Sequence, residues 1–300
     1  MTELRADERR MRVGSRRIDS MVKFWLRFSQ DRLAVASLFI LSLLSLVALV
    51  SPLVFEDPLT MHIERPDQIL RAPDLSHLMG TDQFGRDIMT RIAWGSRISL
   101  SVGFLASILS TAVGIVLGSL AGYYGGIVDA AISRLVDTFI TLPRMFLALL
   151  VAAMFGSSIV NVMIVISLTI WPSTARLVRS EFLSHKEQPY VESARSVGAG
   201  DLHIIFREIL PNTVYPAVVN TTILMSYAII LESGLSFLGL GDPTTVSWGK
   251  ILNDSLKLLR TAWWVFTFPG LAIAATILSC NAVGDGLNYA LNPQMRARRL

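Results

Sequence analysis

The sequence predicts an all-α integral membrane protein with six transmembrane helices and both chain ends in the cytoplasm. Three observations carry this. Charge-free apolar runs of about 17–25 residues recur along the chain, the length that crosses a ~30 Å hydrocarbon core. Of the 300 residues 52% are hydrophobic, and the mean hydropathy is +0.52, which is no profile for a soluble enzyme. In the short connecting segments Lys and Arg collect on one side, as they do in cytoplasmic loops. That bias accounts for the net charge of +4 without any nucleic-acid partner. The single cysteine, Cys280, lies inside the last apolar run, so neither a disulfide framework nor a thiolate metal site is indicated.

Residues 1–32 form a basic tail with Arg5, Arg9, Arg10, Arg12, Arg16, Arg17, Lys23, Arg27 and Arg32. A basic tail directly before a span fixes that end in the cytoplasm. Within it, Met21–Phe28 is amphipathic and should lie along the inner membrane face, with Trp25 at headgroup level. A secretory signal is not expected, because the apolar run starts late and no small-residue cleavage site follows it. Residues 33–55 are the first span. Residues 56–97 form an extracytoplasmic loop whose start is irregular, with Pro58, Pro66 and Pro73. In this loop His77, Asp82 and Asp87 could suggest a metal site. The intervening glycines argue for a turn, so helix capping and ion pairing with Arg86 and Arg91 are the expected use.

Residues 98–292 hold five further spans, and 293–300 form a cytoplasmic tail. The second span, Ile98–Tyr124, carries Gly114, Gly118 and Gly122 four apart, a smooth stripe suited to close helix packing. The third span, running to about Met154, should kink at Pro143. Arg144 beside it must face protein, water or the interface. After an outer turn at 156–161 comes the fourth span, Val162 to about Ala175, with Arg176 and Arg179 at its inner end. The fifth span is Thr213–Leu231, with Glu232 at its far end. The glycine-rich run 233–249 suits a re-entrant or tightly packed outer loop. The sixth span, Thr261–Gly284, starts with an expected aromatic belt at Trp263 and Trp264.

The cytoplasmic loop 177–212 contains a polar island, Pro189–Pro211. Pro189 suits a helix first turn. Val191, Ala194 and Val197 then give one small apolar face, and Gly198 and Gly200 stop the helix. Asp201 is positioned as N-cap of a second helix, with Leu202, Ile205, Phe206 and Ile209 as its bulky stripe and Pro211 closing the unit. Taken alone, this spacing also fits an ordinary loop with two amphipathic turns.

Glu192-Ser193-Ala194, then Gly198, then Ile209-Leu210-Pro211 resembles the EAA motif of ABC importer permeases. That motif runs Glu-Ala-Ala, three residues, Gly, nine residues, Ile-x-Leu-Pro. Here Ser193 replaces the first Ala, and Glu208 stands at the family's Ile position with Ile209 one place later. Two further runs resemble dipeptide and oligopeptide permeases: Gly80-Thr81-Asp82 with Gly85-Arg86-Asp87, and Phe237-Leu-Gly-Leu-Gly241 followed by Pro243 and Trp248-Gly249. Together these resemblances, from about residue 20 to Pro293, imply the C-type permease subunit of the peptide/nickel family of ABC importers, with the type I importer permease fold.

The resemblance implies coupling to ATPases through Glu192, Ser193, Ala194, Gly198, Asp201 and Pro211. It implies as partners a homologous second permease subunit, two ATPase subunits that bind ATP and Mg, an extracytoplasmic substrate-binding protein and membrane lipid, in a bacterial plasma (inner) membrane. Glu232 and Asn220 are assigned to the translocation pathway, with an interfacial anchor as the alternative for Glu232. The chain has no P-loop, so no nucleotide site of its own is expected. His62, His77, His185 and His203 are scattered without metal spacing, and no catalytic group is assigned. The resemblance implies a di- or oligopeptide as substrate, with nickel or a glutathione-like solute as alternatives. A secondary transporter is the rival class, and it would call for mid-membrane ionisable groups and an inverted repeat.

Overall fold

The computed structural model describes residues 22–64 and 66–291. The arginines of the basic tail up to Arg17, and Arg296, Arg298 and Arg299 of the C-terminal tail, lie outside the described residues. Residues 22–28 form a short helix, α1. Asp31 then caps α2 (Arg32–Val54), its carboxylate accepting the N–H of Leu33 and of Ala34.

The second span is longer than its apolar run. Asp87 caps α3 (Ile88–Tyr124) by accepting the Thr90 N–H at 2.8 Å, so the helix begins ten residues before the expected start of 98. Charged Arg91 and Arg97 hid this extension, because they read as loop. The expected third span is broken rather than kinked. α4 (Gly126–Thr141) and α5 (Arg144–Phe155) meet at 91°. Pro143 lacks an N–H and pushes Leu142 to an extended φ of −82° and ψ of 136°, which ends the helix outright. α6 spans Ile159–His185 and α7 spans Pro189–Ser196. α8 runs unbroken over Asp201–Phe237, ~55 Å at 1.5 Å per residue. α9 (Trp248–Ser255), a helix the sequence reading did not foresee, precedes α10 (Trp263–Leu291). Among the described residues five helices are individually long and apolar enough to cross a membrane, and six spans result when the bent pair counts as one.

α3 is the axis of the packing. A Cβ on Gly114 would come 2.5 Å from Thr174 Cβ, one on Gly118 2.5 Å from the Ala175 carbonyl, and one on Gly122 2.5 Å from Phe182 Cβ. The stripe therefore lets α3 and α6 touch backbone to backbone. On the other side α3 packs against α8, with Val102, Ala106, Leu224 and Ala228 in one buried cluster with Ile166 and Ile170 of α6. α2 lies outermost, against α3 and α10.

Two ends result. Tyr123, the α6 C-terminus, α7 and the start of α8 share one apolar cluster. α10 runs antiparallel to α8, shown by Ser226 donating to the Ile277 carbonyl and Gly284 seated on Thr222. Its C-terminal end, with Gly286 against Phe28 and Ala34, thus lies toward the α7 end, as do both limits of the described chain. The opposite end holds the 56–87 loop and α9. There Trp264 corrects the aromatic-belt expectation: it is 7% exposed and its indole donates to the Thr81 carbonyl at 3.0 Å, whereas Trp263 is exposed.

Replacing Gly118 by Ala should force α3 and α6 apart, since a carbonyl cannot rotate away. We expect a loss of about 1–3 kcal/mol, typical of overpacking, read as a lowered thermal midpoint in detergent. Gly270→Ala, in α10 with nothing within 4 Å of the added carbon, is the control and should leave the midpoint unchanged.

Candidate functional site

The α7 loop stands on an apolar plug. Val191, Ile204, Ile205 and Ile209 are buried against Tyr123, Val178, Phe182 and Ala217. Pro189 occupies the first turn of α7, as its missing N–H allows. Gly198, at φ +83°, ends the helix: its N–H donates to the Arg195 carbonyl, and the Ala199 N–H to the Ala194 carbonyl at 3.1 Å. This is the paired-bond C-cap that a left-handed residue makes possible. Nothing lies within 4 Å of a Cβ built on Gly198, so backbone conformation and not crowding demands glycine.

The outward face of α7 is polar. Glu192, Ser193 and Arg195 are exposed, and Ala194 is half-buried. The Ser193 hydroxyl folds back on the Pro189 carbonyl at 2.8 Å, so at this position it behaves as a small, self-satisfied residue. Val197, expected on the inner face, is 84% exposed because the helix ends before it turns inward.

The second helix differs from expectation in three ways. Asp201 is not a cap. Its carboxylate accepts the Tyr123 hydroxyl at 2.7 Å, tying the loop to the end of α3. Leu202 and Phe206 are exposed, and Ile204 takes the inner place instead. Pro211 does not close the unit but lies inside the continuous α8. A π turn over Ile204–Ile209 explains the last two, with the Leu210 N–H donating to Ile205 instead of Phe206. The wider turn rotates the buried face and accommodates a proline that has no N–H to give. It also settles the register at Glu208: Ile209 is fully buried, while Glu208 sits half-exposed beside His203 at 3.5 Å. Nearby, burial and the Glu208 carboxylate push the Tyr190 phenol above its usual range.

α4 is fastened to α6 by Arg176–Asp137 at 2.5 Å and by the Arg179–Asp129 pair. Arg144, at the elbow, faces protein, with its guanidinium 5.1 Å from the Tyr227 ring centre.

The far end is held by charges. Asp82, 2% exposed, accepts from Arg86 Nε at 2.7 Å and Arg91 at 2.9 Å, and Arg91 reaches on to Asp254 of α9 at 2.6 Å. Capping and ion pairing are thus the use these loop residues have. The Thr244 hydroxyl holds the Asp242 carboxyl below its usual range, and that carboxylate also accepts the Ile159 N–H at the start of α6. Among the described residues no group of three or more His, Cys, Asp or Glu could hold a metal.

The two pathway candidates are not brought together. Asn220, half-buried, donates to Thr174 Oγ1 at 2.9 Å and joins α8 to α6. Glu232 is 2% exposed within this chain and surrounded by the hydroxyls of Ser99, Ser233 and Ser236. Its position near the end of an apolar run concealed this, because the helix continues to Phe237 and α9 folds back over it.

Comparison with known proteins gives a consistent picture. The model of the family described as "binding-protein-dependent transport system inner membrane component" matches residues 114–297, and that of the N-terminal transmembrane domain of oligopeptide transport permease C matches 21–73. A dipeptide transport system permease of Alkalihalophilus pseudofirmus is 38% identical over 272 residues, 90% of this chain and 89% of its own. One from Haemophilus influenzae is 36% identical, covering 91% and 95%. A glutathione transport system permease of Pectobacterium atrosepticum is 39% identical, covering 92% and 91%. An inward-facing crystal form of a methionine ABC transporter shares the fold at a TM-score of 0.56 and 19% identity, over 68% of this chain and 98% of that one.

Tyr123→Phe should loosen the α7 loop without disturbing α3, by removing one hydrogen bond to a charged acceptor, worth about 1.5–3 kcal/mol. Limited proteolysis within residues 186–203 should accelerate, while cleavage in the 56–87 loop stays unchanged.

Proposed function

The chain belongs to the family of binding-protein-dependent transport system inner membrane components, and from that premise we propose that it is the C-type permease subunit of an ATP-driven importer of di- or oligopeptides. It is a multi-pass protein of the bacterial inner membrane, and it supplies half of the passage, the other half coming from a homologous second permease. Two ATPase subunits, carrying ATP and Mg, engage α7, and an extracytoplasmic binding protein delivers substrate at the α9 end. The ends of the chain and the α7 loop lie in the cytoplasm, in keeping with the Lys and Arg of that end. Hydrolysis belongs to the partner subunits. Residues 98–292 act as the permease core, with 177–212 as its coupling loop.

The observation that carries the reading is the α7 loop itself. Its polar face, with Glu192, Ser193 and Arg195, is free, while its apolar face, with Val191 and Ala194, is plugged into the ends of α3, α6 and α8. A partner that grips this helix moves three long helices. Gly198 and the Tyr123–Asp201 bond fix its angle, and Pro211 with its π turn joins it to α8. Asn220 is retained as a pathway candidate. Nucleotide-driven closure of the ATPases would shift the population between inward-open and outward-open states through their differential contact with this loop.

Peptide is the primary substrate reading, because the dipeptide permeases cover nearly the whole chain. The glutathione relative, at equal or higher identity, makes a glutathione-like γ-linked peptide the second. The test is co-purification with the partner subunits and binding protein, followed by ATPase assay in lipid. Addition of the loaded binding protein should stimulate hydrolysis, and failure of every peptide-loaded form to do so would remove the substrate class. Gly198→Val, strained at φ +83°, should abolish uptake and stimulation with normal membrane insertion. Gly198→Asn, which tolerates the left-handed region, should retain most of both.

A further inference from the structure

We infer that Glu232 is a positioning residue of the transport cycle, which passes displacement of α8 to α3 and α9. The inference rests on the transporter reading but concerns the opposite end of the molecule from the coupling loop.

The carboxylate is fully enclosed and no Lys or Arg forms an ion pair with it among the described residues. Its partners are hydroxyls. Ser99 of α3 donates to Oε2 at 3.0 Å, Ser236 donates to Oε1 at 2.8 Å, and Ser233 donates to Oε2 at 3.4 Å. Ser247, the N-cap of α9, lines the same small void. Ser99 also accepts the Trp248 N–H at 3.3 Å. One carboxylate and one hydroxyl therefore join three helices: α8 through Glu232, α3 through Ser99, and α9 through the Trp248 backbone. Burying a carboxylate is costly unless its acceptor sites are filled, so the cage holds these helices in one arrangement.

The surroundings make this arrangement rigid. A Cβ on Gly249 would run into the Ser233 carbonyl, so α9 touches the last turns of α8 directly. Trp248 is fully buried, and its indole donates to the Ile92 carbonyl of α3 at 3.0 Å. α8 is one continuous helix from Asp201, beside α7, to Phe237, so a push on the α7 loop arrives at Glu232 as movement of the same rod. The cage is where that rod grips the rest of the far end.

The test uses the complete complex in lipid with its loaded binding protein, and reads substrate taken up per ATP hydrolysed. Glu232→Leu should keep basal hydrolysis but lower that ratio about 10-fold, within the usual range of coupling between sites. Glu232→Gln, which keeps one acceptor oxygen and can donate to Ser99, should restore most of it. Ser99→Ala should lower the ratio in the same direction, and the double variant Ser99→Ala/Glu232→Leu should be no worse than Glu232→Leu alone. An unchanged ratio in Glu232→Leu, or additive effects in the double variant, would overturn the inference. Should Glu232→Leu not assemble, Ser99→Ala decides, and an unchanged ratio there also overturns it. A wild-type complex without stimulated hydrolysis would instead count against the transporter reading, a result distinguishable from all of these.

Discussion

The close approach of α3 and α6 is the constraint on which the rest of the structure depends. In a bilayer no hydrophobic force draws helices together, so packing must come from contact. Gly114, Gly118 and Gly122 provide it by leaving Thr174, Ala175 and Phe182 against bare backbone. This crossing sets the end of α3 beside the end of α6. Tyr123 can then reach Asp201, and Phe182 can form the floor beneath Val191. The α7 loop has no core of its own. It is placed by where two long helices happen to meet.

The two ends of the molecule are built on different chemistry. At the α7 end an apolar plug fixes the loop from beneath, and its polar groups are left facing outward. At the α9 end the fixing groups are charged or hydroxylic and turned inward: the Asp82–Arg86–Arg91–Asp254 cluster and the serines around Glu232. Such inward polar networks are unforgiving, since removing one member strands the others. They specify a single arrangement where the apolar surfaces of α3, α8 and α9 alone would allow sliding.

Much of this was legible in the residues. Apolar run lengths located the spans, the four-residue glycine spacing located the helix crossing, and the Glu-Ser-Ala and glycine pattern located α7. What escaped was decided by contacts between distant segments. The outward extension of α3 is invisible in hydropathy because Arg91 is neutralised by Asp82 and by Asp254, far along the chain. Trp264 reads as a belt residue until the Thr81 carbonyl is brought to it. The π turn at Ile204–Ile209 shifts the inner face, so a stripe drawn at ordinary helical period selects Leu202 and Phe206, which are exposed. Pro143 announced a disturbance, but a kink and a 91° break look alike in sequence.

That break bears on how the molecule could move. α4 is held to α6 through two ion pairs near the α7 end. α5 packs on α6 through Ala148 and Ala152, and it also touches α8, through Arg144 over Tyr227 and Met145 against Gly234. The elbow at Leu142–Pro143 therefore joins an arm held to α6 to an arm that touches both α6 and α8, the two helices that flank α7 along the chain. A corner of extended residues can open or close without breaking a helical hydrogen bond. Under the proposed coupling role, α8 is the stiff element that carries displacement between the two ends. The elbow is the compliant corner at which α4 and α5 can change their angle, while the glycine crossing holds α6 to α3.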